Sequence, residues 1–198
     1  MSEDSLFRIL AAVAVVGMIG TSIYYRHRAD RKGGRVSRQE EPAVVRRGLS
    51  LSGLLGFCGL LAYFAFPSLL EPTLVEVPTA LRWLGLALAF ASALGTVWIF
   101  QALGSNVTRT VVAREGATLV TTGPYRYVRH PLYTNGFLAF TALSLVTRSW
   151  WFVACVLAGF ILLAIRTRQE EANLEERFGD AWRRYAARTG RFLPRLVM

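Results

Sequence analysis

Charge is scarce in this chain, and what there is leans to one sign. Only 18% of its 198 residues are Asp, Glu, Lys or Arg, against about a quarter in an average soluble domain. Thirteen are acidic and 23 basic, and of the basic ones only Lys32 is a lysine. Histidine occurs twice, as His27 and His130, and cysteine twice, as Cys58 and Cys155. Both cysteines lie inside apolar runs, which argues against a disulfide framework and a thiolate metal site. Two histidines are too few for a His-rich centre, so no metal is expected. Apolar residues dominate instead: 53% of the chain is hydrophobic and 12% aromatic. A chain with that much surface to bury is not disordered. The length fits a single membrane domain over residues 1–198.

A membrane-spanning helix takes about 20 apolar residues. Uncharged runs cover 9–25, 49–70, 83–103, 131–147 and 150–165. They predict an all-α integral membrane protein with five transmembrane helices. The last two, separated only by Arg148 and Ser149, form a tight helical hairpin. The first run reads as a true span, because Glu3 and Asp4 stand where a cleaved signal would carry basic residues. Gly17 and Gly20 inside it are expected to favour close helix packing. Residues 9–103 then hold the first three spans, and 104–198 the last two with a polar tail.

The arginines set the orientation. Segments 26–48, 104–130 and 166–198 carry 20 of the 23 basic residues. Five spans put all three on one side, and the positive-inside rule makes that side cytoplasmic: N-terminus out, C-terminus in. The same placement accounts for the net charge of +10 without a nucleic-acid partner.

Polar chemistry gathers from Gly104 onward. Gly104-Ser105-Asn106 closes the third run. A β-prone stretch from Leu119 to Thr122 ends in the Gly123-Pro124 turn. Tyr125-Arg126-Tyr127-Val128-Arg129-His130 then leads to Pro131, which suits a first helical turn and places His130 at the N-cap. Ser149 is a natural N-cap, and the helix it opens continues past the membrane to Phe178, where Gly179 stops it. At about 1.5 Å per residue that helix is roughly 45 Å long, so its last turns project as a cytoplasmic C-terminal extension with Arg166, Glu170 and Glu171. An amphipathic segment with Trp182 and Tyr185 on one side follows. Arg166 and Glu170 share a face. Glu171 lies about 140° round from Arg166, so the two glutamates are expected to split between the site and the adjoining loop.

The segments GSNVTRTVV (104–112), LVTTGPYRYVRHPLY (119–133) and RTRQEEANLEERFGDAWRRYAARTGRFLP (166–194) resemble the isoprenylcysteine carboxyl methyltransferase family and its prokaryotic relatives. Phospholipid N-methyltransferases look similar over the same stretch. The resemblance implies a membrane-embedded methyltransferase using S-adenosyl-L-methionine and releasing S-adenosyl-L-homocysteine, in a prokaryotic cytoplasmic membrane. It implies that Leu119, Val120, Gly123, Tyr125, His130, Pro131, Tyr133, Glu170 and Glu171 line the cofactor pocket. Arg166 stands five residues before Glu171, as a functional arginine does in the family, so these two are the expected catalytic residues. Ser105, Asn106 and Arg166 are expected on the side of a lipid or lipidated substrate. Two departures stand out: Ala117 and Thr118 where relatives often have a histidine, and Asp180-Ala181-Trp182 where they favour Glu-Glu-Tyr. An isoprenylcysteine-like carboxylate is the expected acceptor. Phospholipid N-methylation, small-thiol S-methylation, a nicotinamide-dependent sterol-type reductase and a non-enzymatic scaffold are the competing readings.

Overall fold

The computed structural model describes residues 2–33, 43–106 and 118–195. Six α-helices follow one another: α1 (Glu3–Gly33), α2 (Ala43–Ala65), α3 (Thr79–Leu103), α4 (Pro131–Thr147), α5 (Trp150–Phe178) and α6 (Asp180–Arg188). There is no strand among the described residues. The β-prone stretch before Gly123 is irregular. Four helices, α1, α2, α3 and α5, are long and apolar enough to cross a membrane. With 17 residues, α4 is about 26 Å long, slightly short of a ~30 Å hydrocarbon core.

The helix ends follow the local chemistry. The second helix stops at Ala65 rather than at residue 70, and Pro67 opens a 3₁₀ turn over Pro67–Thr73. A proline disfavours helical backbone in the residue before it, and Phe66 accordingly leaves the helix with φ −138°. Pro131 occupies the first turn of α4, with His130 at its N-cap. Ser149 caps α5 by accepting the Trp151 N–H at 3.3 Å. Gly179 ends α5 with φ 51°.

α3 and α4 pack side by side, with α1 against α3 and α2 against α5. The contact of α1 with α3 and α4 is made through Ala14, Ala89 and Ala142. The expected packing role of Gly17 and Gly20 is not seen: both point into open space, because their face turns away from α3. The outward faces carry exposed Val13, Val16, Leu54, Leu157 and Ile161, which suits a lipid surround. At the end of the bundle away from His130, buried Arg82 pairs with Asp4 at 2.7 Å. Its guanidinium lies 4.0 Å from the centre of the Phe7 ring, tying α1 to α3.

Gly85 lets α3 and α4 approach closely. A Cβ there would lie 2.7 Å from Leu145 Cβ and 2.9 Å from the Ala142 carbonyl oxygen, and backbone cannot move aside as a side-chain tip can. Gly85→Val is therefore expected to cost about 1–3 kcal/mol, read as a lower melting temperature in detergent.

Candidate functional site

Three stretches far apart in sequence meet at one end of the bundle: the turn before α4, the end of α5, and the segment after α6. Arg129 N–H donates to the Gly190 carbonyl at 2.8 Å and His130 N–H to that of Arg191 at 3.1 Å. Thr134 Oγ1 donates to the Phe192 carbonyl at 2.8 Å. Residues 189–192 thus run alongside 128–134 as a strap. Gly190 is required there, since a Cβ would collide with the Leu193 carbonyl.

Glu171 is the hub of this junction. Its Oε1 accepts from Arg129 Nε at 3.0 Å, His130 Nε2 at 3.0 Å and Arg191 Nε at 3.1 Å, and Arg191 Nη2 closes on Oε2. Only 13% of the Glu171 and Arg129 side chains is exposed, so the ions are largely dry and the hydrogen bonds are charge-assisted. The other end of Arg129 donates to the Ala186 and Thr189 carbonyls. It thereby satisfies the open carbonyl end of α6, where a cation also suits the helix dipole.

Glu170 faces the other way. Tyr133 Oη donates to its Oε2 at 3.0 Å, and His130 Nδ1 stands 3.7 Å from the same oxygen. The His130 and Tyr133 rings lie parallel with centres 5.5 Å apart. Tyr185 Oη donates to the Tyr125 carbonyl at 2.7 Å, holding α6 against the turn. Burial pushes the Tyr185 phenol up to about 12 and raises that of Tyr125 further, so both stay protonated at neutral pH.

These groups rim a cavity of about 730 Å³, within the range of small-molecule sites. Its mouth holds Tyr125, His130, Tyr133, Arg166, Glu170 and Trp182, and its depth reaches Phe140 and Leu143 of α4 and Leu60 of α2. His130 to Leu143 is 13 residues, about 20 Å along a helix. One end is polar and charged; the other is aliphatic and aromatic.

Of the sequence-predicted residues, Asn106, Leu119, Val120, Tyr125, His130, Tyr133, Arg166 and Glu170 line this cavity together. Gly123, Pro131 and Glu171 stand behind the wall. Gly123 has φ +61° and a Cβ on it would sit 3.0 Å from Ala102; Pro131 is buried in the first turn of α4. Asn106 Oδ1 accepts the Thr118 N–H at 3.2 Å. The side chain of Ser105, and Ala117, lie outside the described residues.

In the sequence, Arg129 and Arg191 read only as basic flank, and their shared carboxylate is visible only once the strap is closed. Asn135 is a further lining residue the sequence conceals. Its Nδ2 donates to the Ser92 carbonyl at 3.0 Å and to Thr96 Oγ1 at 2.9 Å, a polar junction between α3 and α4. A lone Asn in an apolar run was the available signal, since polar groups at membrane depth are costly and seldom idle.

The chain is similar to the nickel-cobalt-cadmium resistance protein NccN of Alcaligenes xylosoxydans xylosoxydans, 35% identical over 88 residues, covering 44% of this chain and 41% of that one. It is 26% identical over 147 residues to YpbQ of Bacillus subtilis, covering 71% and 87%. It is 29% identical over 127 residues to methanethiol S-methyltransferase 1 of Bradyrhizobium diazoefficiens, covering 63% and 44%. The chain spans about two fifths of the length of the first curated relatives it matches. Residues 80–181, which run from α3 through α5 and contain most of the polar mouth, match the phospholipid methyltransferase family model, and the chain belongs to that family.

Proposed function

We propose that this chain is an S-adenosylmethionine-dependent methyltransferase working at the membrane boundary on a lipophilic carboxylate, an isoprenylcysteine-like acid. The two-ended cavity carries the reading. A water-soluble methyl donor and a lipid-borne acceptor must meet where a charged mouth passes without a break into an apolar chamber.

The donor set suits the cofactor, which has a cationic amino-acid head, ribose hydroxyls and a flat base. Glu170 offers a carboxylate to the ammonium or the hydroxyls. Leu119 and Val120, backed by the Gly123 turn, line the cavity with Tyr125, His130 and Tyr133, and Pro131 stands behind them. When bound, the cofactor supplies a methyl group already activated by a positive sulfur. The residues are left to align the acceptor and exclude water. A carboxylate is ionised at neutral pH and needs no base. Arg166 orients it through charge-assisted hydrogen bonds, and Asn106 lines the same cavity. An amine or thiol acceptor would have to lose a proton, for which His130 and Tyr133 are the groups at hand. Glu171 acts through Arg129, His130 and Arg191, holding the mouth in shape.

The topology that suits this reading has five spans, with the short α4 as the fourth in chain order and shielded by its neighbours, N-terminus out and C-terminus in. The catalytic part from residue 104 then faces the cytoplasm of a prokaryote. The concentration of 20 of 23 basic residues in three segments supports it.

Methylation of a small thiol is the second reading, favoured by the similarity to methanethiol S-methyltransferase 1. The apolar depth of the cavity speaks for a larger acceptor.

Calorimetry on detergent-solubilised protein with S-adenosylhomocysteine and with NADPH tests the reaction class. Micromolar binding of the former alone is expected. Binding of NADPH alone would point to a reductase and sink the proposal. A labelled methyl donor offered with a prenylcysteine acid, phosphatidylethanolamine and methanethiol then separates the acceptors.

A further inference from the structure

The end of the bundle away from the candidate site holds a second cluster of charge. Asp4 and Arg8 stand four residues apart, on one face of α1. Arg82 lies in the first turn of α3, and Arg148 in the turn between α4 and α5. The charges of all four reach the Tyr63 hydroxyl of α2, so they form one group.

The charges of this group do not balance. Arg82 Nη2 lies 2.7 Å from Asp4 Oδ1, and Arg148 Nη2 lies 3.6 Å from Oδ2. One carboxylate thus serves two guanidinium groups. Arg8 pairs with no carboxylate among the described residues; its guanidinium lies 5.6 Å from the centre of the Tyr63 ring. Glu3, Glu71 and Glu76 at the same end are exposed, and none of them is ion-paired with these arginines among the described residues. The hydrogen bonds do not balance either. Arg82 is only 5% exposed, and the Nε–H groups of Arg8 and Arg82 are both buried without an acceptor. Buried N–H groups without a partner are rare in folded chains. Three arginines around one carboxylate, with two idle donors, fit an anion that offers several oxygens.

The surroundings say what carries that anion. Phe66, Leu69 and Trp83 are exposed beside the cluster, and the Trp83 ring lies 4.8 Å from that of Phe7. A free anion gains nothing from an apolar rim, whereas a lipid does. The cluster also sits at the ends of helices long and apolar enough to cross a membrane, the level at which headgroups lie. Arg148 is the one non-glycine residue with positive φ among the described residues, at 56°. Glycine adopts that conformation without steric cost, and an arginine there brings a guanidinium group to the cluster.

We infer that Arg8, Arg82 and Arg148 bind the phosphate of an anionic phospholipid in the leaflet opposite the candidate site, through charge-assisted hydrogen bonds. The lipid bridges α1 to the α4–α5 turn. The surplus of positive charge selects a lipid of net negative charge over a zwitterionic one, whose ammonium it repels. The inference is independent of the methyl-transfer reading.

Thermal unfolding of the full chain in detergent tests it, with phosphatidylglycerol, phosphatidylcholine or inorganic phosphate added. A ligand that binds the folded chain raises its melting temperature. Phosphatidylglycerol is expected to raise it by several degrees, phosphatidylcholine by much less and inorganic phosphate not at all. Arg8→Met and Arg148→Met together should erase the difference between the two lipids, whatever the variant's own stability. Each alone should reduce it, which keeps the test open if the double variant fails to fold. Arg82 is left in place because it ties α1 to α3. Arg28→Met with Arg31→Met, two exposed arginines at the other end of α1, should keep the difference. Equal shifts from the two lipids in the wild-type protein, or a difference that survives the loss of Arg8 and Arg148, would overturn the inference. A shift produced by inorganic phosphate alone would make the ligand a free anion and overturn the lipid assignment. A difference erased by the Arg28 and Arg31 changes would move the lipid contact to the other end of the bundle and overturn it too.

Discussion

Glu171→Ala is expected to abolish most methyl transfer, by about 100-fold or more in kcat/KM, and to lower the melting temperature by several degrees. The two effects share one cause. Removing the carboxylate leaves Arg129, which is 13% exposed, and the buried His130 without their acceptor, and it takes from Arg191 the anion that holds the strap. Breaking a buried ion pair from one side costs about 3–5 kcal/mol. The lower end applies here, because the Arg191 side chain is 40% exposed and water can take over part of its solvation. Glu171→Gln keeps the shape but not the charge and should fall between alanine and wild type. Glu170→Gln is the contrast. Its carboxylate faces the cavity, where the Tyr133 hydroxyl donates to it, so the variant should raise the KM for S-adenosylmethionine while the melting temperature falls less than in Glu171→Ala. Equal losses of stability in both variants would show that the two glutamates do not divide the work. Activity assays and thermal unfolding in the same detergent decide the matter.

That division was partly legible in the sequence. A helix turns about 100° per residue, so adjacent glutamates cannot serve one face, and Arg166 shares its face with Glu170. Helix geometry could not say what the other glutamate meets. Its partners are Arg129, 42 residues back, and Arg191, 20 residues on, and such contacts exist only when α6 folds back and the strap closes. Local punctuation read well for the same reason in reverse. Pro131, Ser149 and Gly179 act through backbone sterics and caps within a turn of themselves, and each marks the helix boundary it was expected to mark. Pro67 is the same kind of signal, and it ends α2 five residues earlier than the apolar run suggested. Hydrophobicity measures what can be buried in lipid, not where the backbone can stay helical. Gly17 and Gly20 show the limit of motif reading. Small residues permit close packing but do not say which face is packed, and in α1 that face carries Ala11 and Ala14 instead.

Arg166→Ala should separate acceptor chemistry from cofactor binding. Arg166 lines the cavity one turn before Glu170, on the face of α5 that looks into the mouth rather than toward the strap. A charge-assisted hydrogen bond to an ionised acceptor is worth about 1.5–3 kcal/mol, which is roughly 10- to 150-fold in kcat/KM. Alanine is therefore expected to lose activity in that range with a carboxylate acceptor, while S-adenosylhomocysteine still binds and the melting temperature changes little. Arg166→Lys should recover only part of the loss, because an ammonium cannot hold a carboxylate through two parallel N–H bonds. The outcome also depends on the acceptor in a way that bears on mechanism. If the acceptor were a neutral thiol, the arginine would have no anion to hold before proton loss, and the Arg166→Ala defect would shrink as the pH rises and thiolate forms without help. A carboxylate is fully ionised from about pH 6 upward, so its defect should be flat with pH. The slope of the wild-type to variant ratio between pH 6 and 9 thus reads the acceptor's own ionisation, and a flat ratio together with intact cofactor binding is the result expected here.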